Sequence, residues 1–262
     1  MTRRAEQYDA QVLRREALGE HLVRLHLGGP GLADFRSTGV PDEWVGLVVP
    51  GQFQHRYYTV RAVTDETVVV DVVVHAEGLV TEWAERDCTG ETVTLTEPKG
   101  SFTMPPDAAW LLLVADLTGL PAIARIAESR PAGLPCRVWV ESADDLGDYL
   151  PDGDGLEVTW LRPPVGVTSA LADVVGAIDW PAGDGYFWMA GESAQMRAIR
   201  KHLRHDRGLA ASAYDVMGYW RDQARQRRSV DPGPIWRAGK AAGKTDEQIW
   251  AEYDAAREEE TR

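Results

Sequence analysis

Cysteine is scarce in this chain: Cys88 and Cys136 are the two among 262 residues, and neither belongs to a Cys-x-x-Cys or Cys/His spacing. That argues against an iron–sulfur cluster or a structural zinc, and it leaves both thiols as inert packing residues. No run approaches the roughly 18 apolar residues needed to cross a bilayer, and Met1-Thr2-Arg3-Arg4-Ala5-Glu6 lacks the apolar segment of a secretion signal. A cytoplasmic location is expected. Positive charge is also short, with 28 Lys and Arg against 41 Asp and Glu and a formal charge of −13. This argues against a nucleic acid or an anionic membrane as partner, and any anionic ligand needs a locally basic pocket. His21, His26, His202 and His205 have no cysteine at ligand spacing, and no metal site is expected.

From Tyr8 to Glu97 the pattern is rich in strands. Val23, Leu25 and Leu27 alternate with Arg24 and His26, Thr67 to Val74 is a β-branched block, and Thr92, Thr94 and Thr96 alternate with Val93 and Leu95. Short strands at this spacing predict a small antiparallel barrel, closed to avoid bare edges. One helix, Gly78 to Arg86, interrupts it, entered through a glycine; the free amides that follow suit a diphosphate, and a plain turn leaves the same signal. Met104-Pro105-Pro106-Asp107 marks a boundary.

Beyond it, strands and helices alternate. Strands are predicted at Trp110 to Ala115, Cys136 to Glu141, Leu156 to Leu161, Tyr186 to Ala190 and Ala213 to Met217; helices at Leu120 to Ser129, Ser169 to Ile178 and Ser193 to Arg207. Near-continuous apolar strands joined by helices predict a parallel sheet covered on both faces, with ligands beyond the carboxyl ends of its strands. No G-x-G-x-x-G follows the first of these strands, which moves simple dehydrogenases back. The domains expected are residues 1–105, 106–228 and a linker with a helix at 229–262. In the last, Thr245 and Gln248 form a capping box ahead of an apolar stripe of Ile249, Trp250 and Tyr253, which should dock on the body.

Arg56-Tyr57-Tyr58-Thr59-Val60-Arg61 sets two aromatic rings and a hydroxyl between two guanidinium groups. On a strand Arg56, Tyr58 and Val60 share one face and Tyr57, Thr59 and Arg61 the other. A ring can lie against a planar ligand, a threonine can bond its heteroatoms and an arginine can pair with a phosphate. A flavin nucleotide asks for that set, but an ordinary half-buried strand has the same spacing.

Several motifs occur together and in order: Arg56-x-Tyr58-Thr59-Val60-Arg61, Val74-His75-x-x-Gly78 leading to Trp83-Ala84, Glu97-Pro98-Lys99-Gly100-Ser101, Asp116-x-Thr118-x-Leu120-Pro121-Ala122-Ile123, Ala190-Gly191-Glu192 and Gly218-Tyr219-Trp220-Arg221. With them the chain, from about Tyr8 to Arg221, resembles the siderophore-interacting protein family of FAD-dependent ferric-siderophore reductases, within the ferredoxin-reductase-like superfamily. The resemblance implies a six-stranded FAD-binding barrel followed by a ferredoxin-reductase-like α/β domain and a helical extension. It places Arg56 on the FAD phosphates and Tyr58 and Thr59 at the isoalloxazine, flanked by Tyr57 and Val60. His75, Gly78, Val80, Thr81 and Trp83 belong to the diphosphate and ribityl region, and Asp116, Thr118 and Trp220 lie near the ring. Leu79 and Val80 stand where members usually have Pro-Ala, and Glu97 where they usually have glycine.

The same resemblance implies electron transfer from NADH or NADPH through FAD to a ferric siderophore, whose Fe(II) form the chelator holds far less tightly. No acid–base residue is required. Gly191 and Glu192 would line the reductant's path, and Glu141, ending the second strand, leans towards NADH by its place beside a ribose 2′-hydroxyl. His55, Arg221, Arg237 and Lys240 are candidates for a basic rim that receives the siderophore. A monomer is expected, and a ferredoxin is an alternative donor. The rivals are a flavin reductase or electron-transfer flavoprotein with another acceptor, and a protein that binds siderophore or flavin without turnover.

Overall fold

The computed structural model describes residues 6–52, 54–75, 78–165, 168–221, 238–245, 248–249 and 252. The chain divides into two compact units, Met1–Arg221 and Asp222–Arg262.

The first unit begins with a closed antiparallel barrel of six strands: β1 (Gln7–Ala17), β2 (Leu22–Gly28), β3 (Trp44–Val48), β4 (Arg56–Val63), β5 (Thr67–Val73) and β6 (Thr92–Thr96), in the order β1-β2-β5-β4-β3-β6. The alternation in the sequence sets which side chains fill it. Val23, Leu25 and Leu27 join Val45, Val60, Val70, Val93 and Leu95 in its core, and closure leaves no bare edge. Helix α1 (Leu79–Glu85) adds Val80, Trp83 and Ala84 to that core. Gly78, before α1, sits at φ 140°, a conformation that excludes most side chains.

The sheet that follows has five strands, all parallel: β7 (Leu111–Asp116), β8 (Cys136–Glu141), β9 (Leu156–Leu161), β10 (Tyr186–Glu192) and β11 (Tyr214–Trp220), ordered β11-β10-β7-β8-β9. Every residue of β7 and β10 is buried. Two separate apolar clusters line the two faces, one holding Leu111, Leu113 and Trp188, the other Leu112, Val114 and Phe187. Cys88 and Cys136 are both buried and free.

Helix α2 (Leu120–Ser129) starts with Pro121 in its first turn, where no amide donor is lost. Gly119 does the work of close packing ahead of it, since a Cβ there would come within 2.7 Å of the Ala115 Cβ and 3.1 Å of the Ala190 Cβ. Helix α3 runs Leu171–Ala177, two residues later than the pattern predicts, because Ser169 and the Ala170 amide are both drawn to the Glu141 carboxylate. Helix α4 runs Ser193–Lys201 and widens into a π-turn at His202–Asp206 where a longer α-helix is predicted. Strand β11 extends three residues past its expected end at Met217, and its pairing with β10 shifts by one residue at Tyr219 so that Trp220 stands opposite Glu192.

Barrel and sheet meet along a polar seam. Arg125 of α2 donates to the Val60 carbonyl at 2.7 Å, and Arg61 pairs with Glu128 through two bonds of 3.0 and 2.6 Å. Arg24 grips Asp71 with two bonds of 2.8 Å, and the Tyr149 hydroxyl donates to the same carboxylate. The Tyr149 ring lies beneath both guanidinium groups, 5.5 Å from Arg24 and 5.4 Å from Arg61.

In the second unit, residues 238–241 are helical and the expected capping box forms: the Thr245 amide donates to Gln248 Oε1 at 3.0 Å, and the Gln248 amide to Thr245 Oγ1 at 3.4 Å. Ile249 is buried, while Trp250 and Tyr253 lie outside the described residues. Among the described residues, no helix is long and apolar enough to cross a membrane.

Candidate functional site

The two faces of β4 have different fates. Tyr58 and Val60 turn inward, Val60 into the barrel core and Tyr58 packed against it, and burial pushes the Tyr58 phenol up to about 12. Tyr57 points outward with 61% of its surface exposed, and His55 meets its ring edge-on at 4.8 Å. His55 in turn lies over Gly46 of β3, where a Cβ would come within 3.0 Å of the imidazole. Arg56 is exposed beside them, so the rim holds a cation, a phenol ring and an imidazole. Arg61, on the Tyr57 face, is instead spent on Glu128 and Tyr149.

Thr59 shares the outward face but is buried, because β11 covers it. The Thr59 Oγ1 and the Tyr219 hydroxyl lie beside each other, yet both atoms are buried without a well-formed hydrogen bond. Burial, with Asp42, Asp215 and Asp116 nearby, holds the Tyr219 phenol well above its ordinary range and therefore protonated. Two buried hydroxyls with an unspent donor are costly unless an acceptor arrives.

Around α1, His75 and Gly78 are exposed neighbours: a Cβ on Gly78 would sit 3.3 Å from the imidazole. Val80, Thr81 and Trp83 are buried, with the Trp83 indole donating to Glu91 at 3.0 Å. The side chains of Val80 and Trp83 thus anchor the helix to the barrel.

At the carboxyl ends of three adjacent strands, β10, β7 and β8, stand the buried carboxylates Glu192, Asp116 and Glu141. Asp116 accepts from the Thr118 amide at 2.9 Å, from the Thr118 hydroxyl and from the Trp220 indole at 2.7 Å. Gly191 makes room for it, since a Cβ there would meet Asp116 Oδ2 at 2.8 Å. Glu141 takes the Ala170 amide at 2.9 Å and the Ser169 hydroxyl at 3.2 Å, and Glu192 caps α4 through the Ala194 amide at 2.7 Å. Burial raises the affinity of Asp116 and Glu141 for protons; their hydrogen bonds act the other way, and the Asp116 charge adds a smaller raising effect at Glu141.

The structure therefore brings His55, Arg56 and Tyr57 to one rim, and Asp116, Thr118, Gly191 and Trp220 into one cluster. Thr59 joins the two through Tyr219. Arg221 follows that cluster and is exposed. Lys240 stands exposed in the second unit, and Arg237 lies outside the described residues.

Residues 108–223 match the model of the siderophore-interacting protein family, and residues 51–102 match the siderophore-interacting FAD-binding domain. The chain belongs to the siderophore-interacting protein family. Its FAD-binding domain contains the β4 rim, and the segment that includes Asp116, Glu141, Gly191 and Trp220 is the remainder of the family unit. Among solved structures of the family's kind, a siderophore utilization protein from T. fusca is similar to this chain at 27% identity with a TM-score of 0.73, covering 87% of this chain and 95% of that one. The NADPH-dependent ferric-chelate reductase of Escherichia coli is 28% identical over 243 residues, 80% of this chain and 91% of that protein. The ferric vibriobactin reductase ViuB of Vibrio cholerae is 30% identical over 174 residues, 63% of this chain and 64% of that protein.

Sequence reasoning passed over Asp71 and Tyr149 of the seam, and over Asp42 and Asp215, which Ser101 joins across the same junction and which the sequence named only through Ser101's motif. Gly100-Ser101 carried the only signal. A Cβ on Gly100 would meet Val40 side-chain carbons at 2.6 and 2.7 Å, and this close approach brings Ser101 onto Asp42.

Proposed function

We propose that this chain is a ferric-siderophore reductase that takes electrons from NADH or NADPH, passes them through FAD and delivers them to an iron(III) chelate. When bound, FAD supplies the conversion between a two-electron hydride donor and a one-electron metal acceptor. The observation that carries the reading is the pair of orphaned hydroxyls, Thr59 and Tyr219, buried at the junction of the FAD-binding domain and the sheet. They fit a planar ligand with acceptor heteroatoms. Arg56 would pair with its phosphates, while Tyr57 and His55 offer exposed ring surface at the same rim. Trp220, fixed by Asp116, walls the sheet side. The ferric-chelate and vibriobactin reductases among its relatives support an iron(III) chelate as acceptor.

The rim also suits that acceptor. On a chain of charge −13, Arg56 and Arg221 are exposed cations near the proposed flavin seat, where an anionic chelate would approach. The purified protein should show, or take up on titration, a flavin visible spectrum; failure to bind FAD at any concentration would sink the proposal. Arg56→Ala should weaken FAD retention about tenfold or more, the worth of a charge-assisted hydrogen bond, without unfolding the protein. Anaerobic mixing with catecholate and hydroxamate iron(III) chelates, a ferrous trap and each nicotinamide in turn separates a siderophore reductase from a flavoprotein with another acceptor.

A further inference from the structure

Ser101 stands between two carboxylates, with its Oγ 2.8 Å from Asp42 Oδ2 and 2.7 Å from Asp215 Oδ2. Its remaining neighbour is the Met217 sulfur at 3.4 Å, a weak acceptor. A hydroxyl has one proton to give. It cannot donate to both carboxylates, and two ionised carboxylates cannot donate to it, so this geometry needs one further proton on one of them.

The hydrogen bonds say which. Asp42 Oδ1 already accepts from the Ser101 amide at 2.8 Å and the Phe102 amide at 2.9 Å, while Oδ2 faces the hydroxyl. With backbone donors aimed at it, Asp42 is the acceptor. The added proton then sits on Asp215, whose carboxyl donates to Ser101 Oγ, and Ser101 donates onward to Asp42. Burial raises Asp215's affinity for protons and the Asp42 charge adds to this, while the Ser101 bond, the Val216 amide and the Arg200 charge act the other way. Tyr186 and Tyr219 are the other titratable groups that feel Asp215, and both are held protonated.

Asp215 lies on β11, five residues before Trp220, and Ser101 lies on the segment linking barrel to sheet. We propose that Asp215 and Ser101 are positioning residues: one proton shared along Asp215, Ser101 and Asp42 docks β11 on the linker and so holds Tyr219 and Trp220 in place at the site. The positioning half rests on the flavin reading above; the shared proton does not. When Asp215 ionises, two carboxylates face one hydroxyl and repel, and β11 loses its tie to the linker. The sign follows from linkage. A carboxyl whose folded form binds protons more tightly than its unfolded form contributes stability that is complete below the ordinary carboxylate range and is lost as pH rises through its folded value.

The test compares the wild type with Asp215→Asn and Ser101→Ala from about pH 4, the ordinary carboxylate range, to about pH 8, by urea unfolding of the flavin-free protein and by FAD titration. In Asp215→Asn the amide NH2 replaces the carboxyl O–H as donor to Ser101 at every pH. Asp116 and Glu141 give slopes of their own, which persist in every variant. The unfolding free energy of Asp215→Asn should therefore fall less steeply with pH than that of the wild type, by up to one linked proton, and Ser101→Ala should lose stability at low pH. FAD affinity should follow, with about a fivefold loss in the wild type that Asp215→Asn does not show. Coincident unfolding slopes for wild type and Asp215→Asn would overturn the shared proton. A flattened unfolding slope with FAD affinity unmoved would overturn the positioning role. If no variant binds FAD at any pH, the flavin reading and the positioning role fall together, while the unfolding slopes still decide the shared proton.

Discussion

At the start of β4 on the barrel side, His55, Arg56 and Tyr57 are open to solvent, whereas at the strand ends of the sheet Asp116, Glu141 and Glu192 are buried carboxylates. The difference follows from the two architectures. A barrel strand alternates between a core and an outer face, so a ligand-facing row can be left exposed without cost to the core. A sheet covered on both faces has only its strand ends free, and a charged group placed there must find donors nearby. Here the donors come from the turn or helix that begins just after the strand or close by: Thr118 for Asp116, Ser169 and Ala170 for Glu141, Ala194 for Glu192. The barrel thus exposes positive charge and ring surface, and the sheet keeps its carboxylates within hydrogen-bonded turns.

Asp71 breaks this rule and tests it. It is a buried carboxylate on a barrel strand, held by Arg24 and by Tyr149 from across the seam. Asp71→Ala should cost about 2–4 kcal/mol in urea unfolding, because it leaves a half-buried guanidinium and a buried phenol unpaired. A loss no larger than that of an exposed ion pair would mean that the seam tolerates open charge as the rim does. Gly191→Ala comes next, at about 1–3 kcal/mol, since the new methyl must push Asp116 off its partners in a packed region. An unfolding midpoint equal to the wild type's would show the strand ends to be looser than their hydrogen bonds imply. Glu128→Gln should cost about 0.2–1 kcal/mol, because Glu128 is half-exposed and its pair with Arg61 is screened. A larger loss in the same measurement would place that pair with the buried seam.

Much of the scaffold was legible because its signals are local. Helix α2 and strands β8 and β9 fall at their predicted bounds, each written as an uninterrupted apolar or alternating run between turn residues. The capping box at Thr245 and Gln248 was equally local. The ends of α3 and α4 were less so, since Glu141 from another strand decides where α3 can start. For the site, Arg56, Tyr57 and Trp220 could be picked out by motif, but the packing of Tyr58 onto the barrel core and the loss of Arg61 to Glu128 required the neighbouring element. The seam residues were the least visible. Asp71 meets Tyr149 across 78 positions and Ser101 meets Asp215 across 114, and no spacing in one sequence reports such pairs.

The Tyr149 ring has a mechanical consequence. Guanidinium groups from β2 and β4 both rest on it, while its hydroxyl reaches a carboxylate on β5, so three strands of the barrel share one anchor on the sheet domain. Sliding the two domains past each other would strip all of these contacts at once. The junction of barrel and sheet should therefore resist sliding and hinge opening as one unit.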